Sequence, residues 1–194
     1  MFKAKINSQT YLAILEPRHA DELYALIDNS RESIGQWLAF PSQTNQVQDT
    51  HSFIQSSLKR LSENNGYWAG IWYKDEIAGS IGFLYLDWEA RKTEIGYWLG
   101  DEFTGKGLAI KSVTQLIEHA FSDLNLRKVE INAASKNLKS RSIPERLGFT
   151  QEGVIRSYEY LNEEFHDRVT YGLLKEEWKN RKSHVVSEPN HDQT

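Results

Sequence analysis

The chain of 194 residues contains no cysteine. This absence excludes a disulfide framework, a thiolate nucleophile and zinc held by sulfur, and it favours a reducing compartment. No apolar run approaches the ~20 residues of a membrane-spanning helix, and residues 1–7 lack the apolar core of a signal peptide. We therefore expect a cytoplasmic protein that does not associate with membranes.

The chain also has little excess charge. A net charge of −4 at pH 7 gives no reason to expect nucleic-acid binding, which depends on many contacts between basic side chains and phosphates. The length fits one domain with one core, which we predict over residues 1–182. Residues 183–194 are polar and include Pro189, so we predict a disordered tail there. Assembly as a monomer or a homo-oligomer stays open.

The hydrophobic pattern predicts a mixed α/β fold. The predicted helices cover residues 19–27, 31–38, 49–61, 107–123 and 139–147, the last closed by Gly148. The predicted strands cover residues 11–15, 67–73, 77–86, 92–99, 128–133, 154–161 and 168–174. The three strands between residues 67 and 99 follow one another with short connections, which is typical of an antiparallel meander.

One turn between a strand and a helix carries two glycines, Thr104-Gly105-Lys106-Gly107-Leu108-Ala109. Free backbone N–H groups at the positive end of a helix bind phosphate, and glycine lets the anion approach them. A plain tight turn before a helix is the alternative. The turn is not a P-loop, because Gly107 follows Lys106 directly. It is not a dinucleotide fingerprint, because Ile110 stands at the position of the third glycine.

Five segments together match one family: residues 90–99, 105–109, 137–142, 146–149 with Glu152 and Gly153, and 159–162 with His166 and Asp167. In this combination the chain resembles the GNAT acetyltransferases, and within them the Rim-type branch that acetylates ribosomal-protein N-termini. The resemblance implies the GNAT fold: a mixed, mostly antiparallel central sheet, flanked by helices and splayed between its fourth and fifth strands. These two strands would be residues 94–99 and 128–133.

The resemblance also implies acetyl-CoA as the co-substrate and no metal. The pantetheine would lie against the strand that includes Trp98 and Leu99. The pyrophosphate would be held by the turn, at Thr104, Gly105, Lys106, Gly107, Leu108 and Ala109. The family usually has Gln or Arg at the position of Thr104, so any side-chain contribution there differs in this chain. Asn137 would donate to the pantetheine or, alternatively, cap the following helix.

For the chemistry, the resemblance implies Glu159 as the general base, and the alternative is a half-exposed strand glutamate that forms a cross-strand pair. Glu94 is the alternative base, although it could also form a salt bridge with Lys92 or Arg91. An α-amino group has an unperturbed pKa of ~7.7 to 8.0, so the base need only relay a proton. The tyrosine that many family members use as the acid is absent, since Pro144 occupies its position. Ser140 is the remaining candidate acid, with helix capping as its alternative role.

For the acceptor amine, we predict contacts with Trp37 and Phe40, placed on the second helix, and with His166. Core burial is the alternative for the two aromatic residues. His166 and Asp167 could instead order the hairpin around Glu159. The other histidines form no ligand pattern with His166, so we predict no metal site.

The predicted function is acetyl transfer to a primary amine, with the N-terminal α-amino group of a protein such as a ribosomal protein as the first choice. A small amine, such as a polyamine or an antibiotic, is the alternative acceptor. A non-catalytic acyl-CoA-binding module is a third possibility. The presence of Glu159, Ser140 and Asn137 together argues against the third, since binding alone needs neither a base nor an acid.

Overall fold

The computed structural model describes residues 3–186, with side chains as far as Arg181. In chain order the elements are β1 Lys3–Lys5, β2 Thr10–Ile14, α1 Ala20–Asn29, α2 Arg31–Gly35, α3 Phe40–Gln43, α4 Val47–Ser62, β3 Tyr67–Tyr73, β4 Glu76–Asp87, β5 Lys92–Leu99, α5 Leu108–Glu118, β6 Lys128–Ala134, α6 Leu138–Leu147, β7 Thr150–Leu161, β8 Glu164–Leu174 and α7 Lys175–Val186. A π-helical turn, His119–Asp123, continues α5. No helix within residues 3–186 is long and apolar enough to cross a membrane.

All eight strands form one sheet in the order β1-β2-β3-β4-β5-β6-β8-β7. Every neighbouring pair is antiparallel except β5 and β6, which run parallel. These two central strands pair only over Lys92–Glu94 and Lys128–Glu130, and beyond that point they separate. The predicted splay of a mixed, mostly antiparallel sheet is therefore confirmed.

The core is centred where α5 packs against the sheet. Val113, Leu116 and Ile117 recur at the spacing of one helical face and have no exposed surface. They pack with fully buried residues of the sheet such as Ile81 and Phe83. This burial fixes α5 on the sheet, and with it the glycine turn at the start of the helix.

Two helix predictions need correction near the acceptor residues. The helix predicted over 31–38 ends at Gly35, so Trp37 follows it, and Phe40 begins the separate helix α3. Pro41 lies in the first turn of α3, where its missing N–H has no partner to lose. The helix predicted from residue 49 begins at Val47, so Asp49 is the third residue of α4. It accepts N–H bonds from Asn45 and Gln46 in a capping box.

The C-terminal boundary also differs from the prediction. Helix α7 continues to Val186, four residues beyond the predicted domain end at 182. Trp178 anchors this helix, because its side chain is buried in the core. The remainder of the predicted tail, residues 187–194, lies outside the described residues.

Candidate active site

A cleft of about 1350 Å3 opens where β5 and β6 separate. Its walls come from β5, the glycine turn, the N-terminal half of α6, the β7–β8 hairpin and the segment around α2 and α3. Every residue predicted to bind coenzyme or acceptor lines this cleft except Lys106. The predicted catalytic residues Glu94, Ser140 and Glu159 line it as well. The fold thus brings together side chains that are up to 129 residues apart, from Trp37 to His166.

The glycine turn presents its backbone to the cleft. Gly105 and Gly107 have φ angles of +73° and +70°, and Gly107 is the N-cap of α5. A Cβ on Gly105 would meet no atom within 4 Å, and one on Gly107 would meet only Lys111, at 3.9 Å. The left-handed backbone therefore favours glycine at both positions, and the space beside each glycine is open. Among the described residues, the first N–H of α5 with a backbone acceptor belongs to Lys111, which donates to the Gly107 carbonyl over 3.3 Å.

Two side chains of the turn donate to backbone carbonyls that precede it. Thr104 Oγ1 donates to the Asp101 carbonyl over 2.9 Å, and Lys106 Nζ donates to the Glu102 carbonyl over 2.7 Å. The Lys106 side chain therefore reaches back along the chain, in keeping with its absence from the cleft lining. The N–H groups that precede Lys111 lie at the positive end of α5, an arrangement that suits an anion.

The start of α6 faces the turn across the cleft. Asn137 is its N-cap, and its Oδ1 accepts the N–H of Ser140 over 3.1 Å, so the predicted capping role is confirmed. Its side-chain amide nitrogen is still free to donate to a ligand carbonyl. Ser140 Oγ lies 3.2 Å from the hydroxyl of Tyr97, which projects from β5.

Glu94 lies where the two central strands part. Burial raises the pKa of its carboxyl, while a hydrogen bond from Asn132 and the charge of Arg168 act in the opposite direction. Within the described residues Glu94 forms no salt bridge, and Lys92 Nζ lies instead 3.5 Å from the Glu130 carboxylate. Asn132 lines the cleft, and its buried Oδ1 has no hydrogen-bond partner in the part of the chain that the structure describes.

Glu159 and His166 are direct neighbours on β7 and β8. A bulge between Ile155 and Glu159 shifts the strand register by two residues, because Ile155 pairs with Arg168 but Glu159 pairs with His166. Without this shift Glu159 would face Glu164 at the tip of the hairpin. The bulge is held by Asp167 Oδ1, which accepts the N–H of Ser157 over 2.9 Å, so Asp167 does order this hairpin.

His166 and the aromatic residues lie together at the end of the cleft where we predicted the acceptor. His166 is 9% exposed, and its buried Nδ1 has no hydrogen-bond partner among the described residues. Trp37 meets the imidazole edge to face at 6.1 Å between ring centroids. Phe40 packs on Trp98 of β5 at 5.5 Å, which joins the acceptor wall to the predicted coenzyme strand. Both aromatic residues are half-buried, so they line the cleft as well as contact other rings.

Three side chains of the cleft region escaped the sequence predictions: Tyr97, Asn132 and Asn162. Asn162 begins the two-residue turn of the β7–β8 hairpin with φ +52°, and its Nδ2 donates to the Gly35 carbonyl over 3.0 Å. This bond joins the hairpin to the end of α2 on the opposite wall. An asparagine in a short turn is a signal for a hairpin, but nothing local in the sequence identifies its distant acceptor.

The comparisons with known proteins agree with this geometry. Residues 10–150 match the family model described as the acetyltransferase (GNAT) domain. The Bacillus subtilis (strain 168) protein YdaF, named provisionally as a ribosomal N-acetyltransferase, is 40% identical over 94% of this chain and 100% of its own length. The ribosomal-protein-serine acetyltransferase of Escherichia coli (strain K12) is 27% identical over 88% of this chain and 95% of its own length.

A solved structure adds a relative with ligands. The microcin C7 self-immunity acetyltransferase MccE, in complex with acetyl-CoA and AMP, is 32% identical with a TM-score of 0.83 over 88% of this chain and 94% of that chain. The family model covers well over half of the sequence, and YdaF is matched along its whole length. The chain is therefore an N-acetyltransferase that belongs to the GNAT family.

Proposed function

We propose that this enzyme transfers the acetyl group of acetyl-CoA to the N-terminal α-amino group of a protein, such as a ribosomal protein. The observation that carries the proposal is a single cleft with an anion-binding turn at one end and Glu159 beside His166 at the other. Two relatives that match most of this chain carry names of ribosomal acetyltransferases.

The residues present fit acetyl-CoA. The pyrophosphate of the coenzyme would bind at the N–H groups of Gly105 to Ala109, where the φ angles and open space of the two glycines suit a close approach. The pantetheine would run along the unpaired edge of β5 beyond Glu94, with Asn137 donating to one of its amides. MccE, which shares the fold, binds acetyl-CoA. The coenzyme supplies an acetyl group as a thioester.

The side chains then divide the proton transfers between them. Glu159 accepts a proton from the amine, whose nitrogen attacks the thioester carbonyl carbon. The carbon–sulfur bond breaks, and Ser140 Oγ gives its proton to the departing sulfur. Glu94, whose pKa burial raises, is the alternative base, and a hydrogen bond from Asn132 opposes that rise. Afterwards Glu159 releases its proton to solvent and Ser140 takes one from solvent, so that one proton has left the amine and one has reached the thiol.

The charges at the acceptor end favour an acceptor with a single amino group over a polyamine. Other carboxylates of the lining are engaged: Asp49 accepts two backbone N–H groups, Asp167 accepts the Ser157 N–H, and Asp101 accepts the Ser33 hydroxyl. Glu159 has no ion-pair partner among the described residues. A chain with several cationic nitrogens would need several free carboxylates, whereas a single α-amino group needs one.

A small acceptor is the second candidate, because the MccE structure holds AMP together with acetyl-CoA. The test is thiol release from acetyl-CoA with three acceptors: a peptide with a free α-amino group and an internal lysine, spermidine, and the same peptide with a blocked N-terminus. We expect turnover only with the free peptide, with mass spectrometry placing the acetyl group on its first residue.

Other outcomes would contradict the proposal in different ways. Acetylation of the internal lysine, or a higher kcat/KM with spermidine, would reject the α-amino specificity. Inhibition by AMP that is competitive with the peptide would favour the small-acceptor alternative. Tight coenzyme binding without turnover on any acceptor would favour the non-catalytic module.

A further inference from the structure

Helix α6 contains a proline in its interior, at position 144. A residue in a helix donates its N–H to the carbonyl four residues earlier, and proline has no N–H to donate. The carbonyl that loses its partner belongs to Ser140, the predicted acid. A backbone carbonyl in this half-buried position needs another donor, because a polar group left unpaired in the interior is costly.

The missing donor comes from the other side of the splay. The hydroxyl of Tyr97, on β5, donates to the Ser140 carbonyl over 3.0 Å. Burial raises the pKa of Tyr97 to about 12, so the phenol keeps its proton near neutral pH. Pro144 and Tyr97 are thus coupled, since the first removes a helical donor and the second replaces it.

The same hydroxyl lies 3.2 Å from Ser140 Oγ. Its single proton therefore has two acceptors within reach, the carbonyl and the side chain of one serine. When Ser140 Oγ gives its proton to the sulfur, negative charge grows on Oγ. A hydrogen bond to an oxygen that is becoming charged is stronger than one to a neutral carbonyl, so the phenol proton turns towards Oγ at that moment.

We propose that Tyr97 is a positioning residue that orients Ser140 Oγ and stabilises it while it protonates the departing thiolate. The proposal rests on the proposed function, in which Ser140 is the acid. No proton is lost from Tyr97 in the step: the amine proton goes to Glu159, the Ser140 proton goes to sulfur, and Ser140 recovers a proton from solvent. Tyr97 contributes a hydrogen bond throughout.

A purely structural role for Tyr97 is the competing explanation, and Pro144 makes it testable. Pro144→Ala restores an N–H to the Ser140 carbonyl, so the helix no longer depends on Tyr97. The experiment compares Tyr97→Phe, Pro144→Ala and the double variant for their midpoint of thermal unfolding, kcat and KM for acetyl-CoA. Pro144→Ala is the reference for the double variant.

We expect Tyr97→Phe to lower both the unfolding midpoint and kcat, the latter about tenfold, with little change in the KM for acetyl-CoA. In the double variant the unfolding midpoint should return to that of Pro144→Ala, while kcat stays low. Recovery of kcat together with stability would show that Tyr97 only repairs the helix, and it would overturn the proposal.

A second cycle tests the dependence on Ser140. Tyr97→Phe should have almost no further effect on kcat in a Ser140→Ala background, because the group that it positions is already absent. Additive losses would overturn the proposal, as would a wild-type rate in Ser140→Ala. These outcomes differ from a failure of the proposed function, which would appear as absence of turnover by the wild-type enzyme itself.

Discussion

The two ends of the cleft are built from different parts of the chain. At the end that we propose for the coenzyme, the groups offered to a ligand are backbone N–H groups, and Thr104 and Lys106 donate from their side chains to neighbouring carbonyls. At the end that we propose for the acceptor, the groups offered are side chains, namely those of Glu159 and His166. A backbone site depends on φ angles and tolerates many side chains, whereas a side-chain site changes with each substitution. The first therefore suits a common coenzyme and the second a variable acceptor.

The largest expected effect is at the acceptor end. Glu159→Gln should lower kcat about 100-fold, since removal of a general base typically costs at least this much, while the affinity for acetyl-CoA stays the same. Steady-state kinetics with a free peptide and calorimetry with the coenzyme measure the two quantities. Glu163→Gln is the matched control, because it removes the same charge from the exposed turn of the same hairpin. If Glu94→Gln instead abolishes turnover and Glu159→Gln does not, Glu94 is the base.

At the coenzyme end, Gly107→Ala should raise the KM for acetyl-CoA about tenfold and leave kcat at saturation nearly unchanged. A left-handed backbone is ~1–2 kcal/mol less favourable for a residue that has a Cβ. The turn of the variant should therefore change its backbone angles and lose the geometry that we propose for anion binding. Lys106→Ala is the control within the same turn, and it should change KM by less than about twofold, since its side chain donates to the Glu102 carbonyl and does not line the cleft. A larger loss in Lys106→Ala than in Gly107→Ala would contradict a backbone site.

His166→Phe should give a smaller change, an increase of about fivefold in the KM for the acceptor peptide, with the KM for acetyl-CoA unaffected. Phenylalanine keeps a ring beside Trp37 but removes Nε2, which lies 3.3 Å from the Leu161 carbonyl, and the buried Nδ1, which has no partner in the described part of the chain. Initial rates measured over a matrix of both substrates separate the two constants. An equal change in both KM values would indicate a general disturbance of the hairpin rather than a contact with the acceptor.

The smallest expected effect is the dependence of stability on pH at Glu94. Because burial raises the pKa of this carboxyl in the folded state, the folded protein binds more protons than the unfolded one between 4.5 and the raised value. Its contribution to stability is complete below pH 4.5 and falls as the pH rises through that window. Glu94→Gln should therefore gain in unfolding midpoint relative to the wild type between pH 4 and pH 7. A constant difference across this range would show that Glu94 titrates normally.

The conformation of the glycine turn could be predicted from adjacent residues, whereas the placement of Glu159 in the cleft could not, for a physical reason. Gly105 and Gly107 reveal a turn locally, because positive φ angles and a helix start leave a signature in adjacent residues. The position of Glu159 depends on a bulge that shifts the β7–β8 register by two residues, and alternation along a strand cannot reveal such a shift.

Three other features of the structure also could not be predicted from local sequence patterns. Trp37 lies in the gap between α2 and α3, and Phe40 begins α3, although we predicted one helix over residues 31–38. The strand β1 has only three residues, Lys3–Lys5, which is too short for an alternating pattern to predict a strand. The contact of Tyr97 with Ser140 joins residues 43 positions apart, which no local pattern predicts.

The short pairing of β5 with β6 also means that amide exchange in β5 should depend on whether a ligand occupies the cleft. Because these strands pair over three residues only, β5 amides that point towards β6 beyond Glu94 have no ladder partner there. In hydrogen–deuterium exchange, those amides should exchange faster than their neighbours that are bonded to β4. An extended ligand in the splay would slow them, so the rate of isotope uptake in one strand registers coenzyme binding without any acceptor present.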